Sequence, residues 1–296
     1  MNNANSTQKS TVIGMTLGFI GVLAFSLTLP MTQIALRELS PEQIAIWRAI
    51  YAALAAGVVL LVFRPERPRG IQFLPLIGCS LGTAFGFPIF ISLAMQTVSA
   101  SQGAIVVGLL PMATAIFGVL IGKEKVGKLF WLFSLAGTLL TLIFVFRNGG
   151  AQLKIGHIYL FLAVVSAGFG YASGGVLSRQ LKAWSVACWS LIIALPILLI
   201  VGLSLAPLPT SSSWQVMSAF AYLALVSQLF GFFAWYRGMA LAGIARVSQL
   251  QLLQLFLTIG FAAVFLGDTL GLDVLIFGAA VSVTVWLSSR QKQARS

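Results

Sequence analysis

Charge is what this chain has least of. Its 296 residues include 18 Lys and Arg, 6 Asp and Glu and one His, so charged residues make up 8%, against about 25% in an average soluble protein. A water-soluble fold of this length needs a polar surface that such a composition cannot supply. Soluble enzymes, disordered chains and secreted disulfide scaffolds are excluded together. The two cysteines, Cys79 and Cys188, lie in apolar runs and read as buried free thiols. With His157 as the lone histidine, no metal-ligand spacing exists, and no nucleotide-binding glycine fingerprint stands out. The expectation is therefore no cofactor, no metal and no enzyme activity, and no ATP-driven step within this chain.

What is present is apolar. Hydrophobic residues make up 59% and the mean hydropathy is +0.99, so the solvent is mostly lipid. Spans fall at roughly 11–36, 41–63, 70–95, 100–122, 127–146, 155–178, 183–204, 214–241, 245–267 and 271–289. The runs are unbroken rather than alternating, which excludes a barrel. Residues 70–122 and 183–236 carry no charge and are too long for one crossing each. Each is expected to fold back, at Thr97–Ser101 and at Pro207–Ser213. The first run is too long for a signal-peptide core and reads as an uncleaved first span.

Placing Lys and Arg in alternate loops puts 13 on one side and 3 on the other. The bias predicts both termini in the cytoplasm. The net charge of +12 thus punctuates spans on one face and does not form a nucleic-acid surface.

The halves, 1–150 and 151–296, resemble each other. At an offset of 142, Gly14, Arg37 and Trp47 meet Gly156, Arg179 and Trp189; at 144, Glu124, Gly127 and Ala136 meet Asp268, Gly271 and Ala280. Five spans per copy force the second copy upside down. The loop bias agrees: three Arg follow the second span and no charge follows the seventh. The predicted fold class is all-α, a polytopic membrane protein of ten transmembrane helices in two inverted five-helix repeats.

Three places carry a family likeness: Ser40-Pro41-Glu42-Gln43 leading to Trp47-Arg48, Pro111 with Gly122-Lys123-Glu124, and Leu266-Gly267-Asp268. On these the chain resembles the EamA-type branch of the drug/metabolite transporter superfamily. The resemblance implies a secondary transporter of amino acids or other small metabolites, commonly outward, in the bacterial inner membrane. Its implied partners are a small-molecule substrate and the lipid bilayer, with no nucleic acid and no required oligomer.

The residues refine this. All six acids, Glu38, Glu42, Glu66, Glu124, Asp268 and Asp273, lie in loops or at span ends. Proton-coupled carriers usually place an acid or histidine in the pathway, so facilitated diffusion or exchange is expected, by alternating access. Arg48 is about two turns below the interface. Either it faces a cavity and holds a carboxylate, or it snorkels or pairs structurally. Ser248, Gln251, Gln254 and Thr258 share one helix face, either a cavity wall for a zwitterion or interhelical glue. Ser26 and Gln33 are weaker instances. Phe85, Tyr171 and Trp235 fall inside spans and either line the cavity or pack. The candidate substrate-binding set is these ten residues. The cargo class is small, neutral or zwitterionic, with amino acids first; a nucleoside carrier and a non-transport scaffold are the alternatives.

Overall fold

In lipid the backbone has no water to bond, so it must satisfy its own donors and acceptors. Every regular element among the described residues of the computed structural model is accordingly helical. The structure describes residues 2–98, 100–149, 155–209, 211–267 and 271–290. The expectations placed on Asp268, Lys154, Lys292 and Arg295 lie outside them, as does the side chain of Asp273.

In chain order the helices are α1 (Asn2–Ser26 continuing as Thr28–Ala35), α2 (Pro41–Phe63), α3 (Phe73–Cys79, Ser80–Gly86, Phe87–Ala94) and α4 (Ala100–Val107, Leu110–Leu120). Then come α5 (Lys128–Gly149), α6 (Ile155–Leu177), α7 (Ala183–Leu203) and α8 (Trp214–Ala221, Tyr222–Phe230, Gly231–Ala242). The last are α9 (Ile244–Ser248, Gln249–Gln251, Leu252–Leu266) and α10 (Leu272–Ser289). Among the described residues, seven stretches are long and apolar enough to cross a membrane; Leu110–Leu120, Lys128–Leu140 and Ile276–Ser288 are shorter apolar helices.

Several breaks have a local cause. Pro30 has no N–H to give the Ser26 carbonyl, and α1 is interrupted at Leu27. Pro111 likewise leaves the Val107 carbonyl without its helical donor, and α4 breaks before Leu110. Gly243, at φ 92°, separates α8 from α9. Ser40 starts α2 as the sequence predicts: its hydroxyl accepts from the Gln43 N–H, and the Gln43 side chain accepts from the Ser40 N–H.

Packing follows the small residues. Gly78, Gly82 and Gly86 of α3 face Ser173, Gly170 and Ser166 of α6. A Cβ on Gly82 would lie 2.3 Å from the Ser166 carbonyl oxygen, so the two backbones touch. Gly14 and Gly18 receive α8 and α9 in the same way. The main apolar cluster draws on α1, α3, α4, α6, α8 and α9. A second joins α2 to α7. The interior formed between them holds the polar groups described next.

Candidate functional site

Two stretches of backbone are wound as π-helix, Ser80–Gly86 in α3 and Tyr222–Phe230 in α8. A π turn shifts each hydrogen bond one residue further along and changes which side chains face inward. In α3 the Phe87 N–H bonds the Gly82 carbonyl. In that register the Thr83 carbonyl would need the N–H of residue 88, which is Pro88 and has none. The acceptor is taken instead by α8: Gln228 Nε2 donates to the Thr83 oxygen at 2.8 Å.

That bond fixes the Gln228 amide, whose Oε1 then faces Arg48. Arg48 donates to it through Nε at 3.2 Å and Nη2 at 2.7 Å. The side chain is 1% exposed, and its Nη1 is buried with no hydrogen-bond partner. A charged donor without a partner is costly in a low-dielectric interior, and Arg48 lines a small cavity.

The cavity at this point is lined by Phe25 and Thr28 of α1, Arg48 of α2, Thr83 and Phe87 of α3, Tyr171 of α6, and Ser227, Gln228 and Phe232 of α8. Room for the centre of a water molecule amounts to ≈ 10 Å³, about enough for one water. Four rings share the walls with five polar side chains. Phe25 stacks on Tyr171 at 5.9 Å, and Phe232 meets Tyr171 edge-on at 5.5 Å. The Thr28 and Ser227 hydroxyls bond each other at 2.8 Å.

The ten predicted site residues separate into groups. Arg48 and Tyr171 line the cavity. Trp235 stands edge-on against Phe25 and Tyr171, fully buried, with its indole N–H unpartnered. Phe85 packs toward the α2–α7 cluster, and Phe87 takes the cavity position. Ser26 contributes its carbonyl, freed by Pro30, to the Thr258 hydroxyl at 2.9 Å, tying α1 to α9. Gln33 is half-buried and is not among the lining residues.

Ser248, Gln251, Gln254 and Thr258 are all buried along α9 but are not among the lining residues either. Gln251 accepts from Thr114 at 3.4 Å while its Nε2 is unpartnered, as is Gln254 Oε1. Of the lining residues, Phe25, Thr28, Thr83, Phe87, Ser227, Gln228 and Phe232 lie outside the ten-residue set read from the sequence. An adjacent polar pair inside an uncharged run was the one signal for Ser227 and Gln228. Arg237, the other arginine inside a span, is exposed.

Both ends of the molecule are tied across the two halves of the chain. At one end Gln43 Nε2 donates to the Ala206 and Pro207 carbonyls, and Trp47 Nε1 to Ala206. Nearby, Glu38 accepts from the Ser213 hydroxyl and backbone N–H, which hold its carboxyl below the usual value. At the other end the Glu124 carboxylate accepts from the Ile244 and Ala245 N–H groups, at 2.8 Å each, and from Arg179. Among the described residues no group of acids, histidines and cysteines could hold a metal.

Comparison with known proteins agrees with this architecture. A solved structure described only as "Crystal structure of protein" superposes with a TM-score of 0.71 at 17% identity, covering 93% of this chain and 95% of its own, a likeness of fold alone. The "Uncharacterized transporter YdeK" of Bacillus subtilis (strain 168) is 39% identical over 287 residues, 95% of this chain and 99% of the relative. The "Probable amino-acid metabolite efflux pump" of Salmonella typhimurium (strain LT2) is 25% identical over 302 residues, 92% of this chain and 97% of the relative. Residues 12–147 and 154–290 each match one family domain, present twice along the chain. A twice-repeated, helical, lipid-compatible chain with these relatives is a multi-pass membrane transporter, and it belongs to the EamA-like transporter family of the drug/metabolite transporter superfamily.

Proposed function

We propose that this chain exports small carboxylate-bearing metabolites, amino acids first, across the bacterial inner membrane, by facilitated diffusion or exchange. The observation that carries the reading is the Arg48 guanidinium, buried in a partly aromatic cavity with Nη1 unpartnered. A planar fork of donors matches a carboxylate, and the rings suit an apolar side chain. The printed name of the Salmonella relative points to the same chemistry.

The supporting architecture is ten spans in two inverted copies with both termini cytoplasmic. The irregularities repeat at the offset of 142: the π segments begin at Ser80 and Tyr222, and the family matches begin at 12 and 154. The break in α4 after Val107 pairs with the 3₁₀ turn from Gln249 in α9. Duplicated kinks and opposite loop bias favour inversion. Ties across the halves at both ends suit alternating access, one set releasing while the other holds.

The test is transport by purified protein in liposomes, using labelled amino acids and their amides with and without a pH gradient. Saturable flux of acids but not amides is expected, with Arg48→Gln losing at least ~tenfold, the equivalent of one charge-assisted hydrogen bond. Amides carried as well as acids would remove Arg48 from recognition. Flux that requires an imposed proton gradient would overturn facilitated diffusion. Cysteines at Gln251 and Gln254 address the scaffold reading: complete protection from a water-soluble thiol reagent under all conditions favours a closed core.

A further inference from the structure

The cavity has a charge that no described residue balances. Arg48 remains protonated in a protein interior, yet its described partner is the neutral amide of Gln228. No carboxylate is among the groups lining the cavity. The described acids are engaged or placed elsewhere: Glu124 with Arg179 and the start of α9, Glu38 with Ser213, and Glu42 and Glu66 exposed.

The geometry of the guanidinium sharpens this. Gln228 occupies the edge formed by Nε and Nη2. The adjoining end edge, one N–H of Nη1 and the second of Nη2, is the fork that takes a carboxylate with two parallel bonds. A zwitterion placed there would bring an ammonium among the Phe25, Phe87, Tyr171 and Phe232 rings and the Thr28 and Ser227 hydroxyls, which can contact it but carry no charge to balance it. The site would keep its net positive charge in a medium where an uncompensated charge costs several kcal/mol. A cargo carrying the carboxylate alone leaves the filled site neutral.

We infer that the preferred cargo is a net monoanion, a small monocarboxylate with an apolar or aromatic body and no ammonium group, and that the membrane potential drives its export. This rests on the reading of Arg48 as the carboxylate site and puts monocarboxylates ahead of amino acids among its cargoes. The second half follows from charge conservation. In facilitated diffusion the protein returns empty to its starting state, so the charge moved over a full cycle is the cargo's. A cytoplasm held negative pushes an anion outward, with a tenfold change in the equilibrium ratio for each ~59 mV and one charge.

Three probes share one ring and differ in charge: 3-phenylpropanoate, phenylalanine and phenylalaninamide. Each is measured with the full-length protein in liposomes under a potassium–valinomycin clamp. The expected result is flux of 3-phenylpropanoate at least ~tenfold above phenylalanine, as an unbalanced buried charge requires, none for the amide, and a steady-state ratio that follows the clamp. Gln228→Glu supplies an internal counter-charge to Arg48 but gives up the donor to the Thr83 carbonyl, so the two effects on stability oppose; a cooperative melting transition checks that the variant is folded, and in it the preference for the anion is expected to disappear. Phenylalanine carried as well as 3-phenylpropanoate, or a ratio indifferent to voltage, overturns the inference and leaves the carboxylate site standing. Saturable flux of the amide alone, or neither flux nor a thermal shift with any probe, overturns the carboxylate site as well.

Discussion

The Glu124 tie permits a quantitative test, because its parts differ in burial. The carboxylate side chain is 6% exposed and that of Arg179 is 37%. The Ile244 and Ala245 amides open α9 and have no carbonyl of their own helix to bond. Glu124→Gln keeps an acceptor for one amide and turns an NH₂ group against the other. The loss is one charge-assisted bond, about 1.5–3 kcal/mol. Arg179→Gln removes a half-exposed ion pair, worth about 0–1 kcal/mol. Ser248 lies one turn behind these amides and is fully buried, so a cysteine there reports opening of this end. With Cys79 and Cys188 replaced, its rate with a water-soluble thiol reagent follows the open population when reclosing is fast. At 1.4 kcal/mol per decade, Glu124→Gln should raise the rate roughly tenfold to a hundredfold and Arg179→Gln at most about fivefold. Equal effects, or a larger one at Arg179, would refute the assignment of this closure to the α9 amides.

Other sites give independent checks. Gly82→Ala places a Cβ against the Ser166 carbonyl and should cost about 1–3 kcal/mol of stability, read as a lowered melting temperature. Gly260→Ala meets nothing within 4 Å and should be neutral or stabilising by up to about 1 kcal/mol. Gln228→Ala strips Arg48 of its acceptor and should destabilise by about 3–5 kcal/mol, as breaking a buried pair does; denaturant unfolding of the purified protein measures it. Glu38 has a folded-state carboxyl value below its ordinary 4.5, so its tie to Ser213 is fully present above that value and lost as pH falls through the lowered one. Hydrogen exchange at the Ser213 amide should therefore show no added loosening between pH 5 and 8, and Glu38→Gln at neutral pH should reproduce the acid effect.

Much of the fold was legible because its signals are local. The Ser40 capping box, the glycine ridge of α3 and the span boundaries each depend on residues within a turn or two. Arg48 stood out because a charge inside a span always needs an account. The face of each helix at the site was less legible. A stripe of polar residues is read at 3.6 residues per turn, and α3 and α8 depart from that spacing where they meet Arg48. Phe87 and Ser227 therefore line the wall while Phe85 packs toward α2 and α7, a distinction that the 3.6-residue spacing does not make. The partners of Glu124 lie on helices remote in sequence, and no local pattern connects them. The α9 stripe was read correctly as buried, but its Thr258 is spent on a carbonyl that only the proline in α1 makes available.

The π segments make the site depend on residue count as well as residue identity. Each accommodates its chain at a looser winding than the helix on either side. Removing one residue from Tyr222–Phe230 would let α8 relax to ordinary winding, with the turns on either side keeping roughly their faces and the residues inside the segment changing theirs. Gln228 and Ser227 would lose their places beside Arg48 and Thr28, and other side chains of the segment would take them. A one-residue deletion, which a substitution scan never samples, is therefore a short route to a different cargo in this fold.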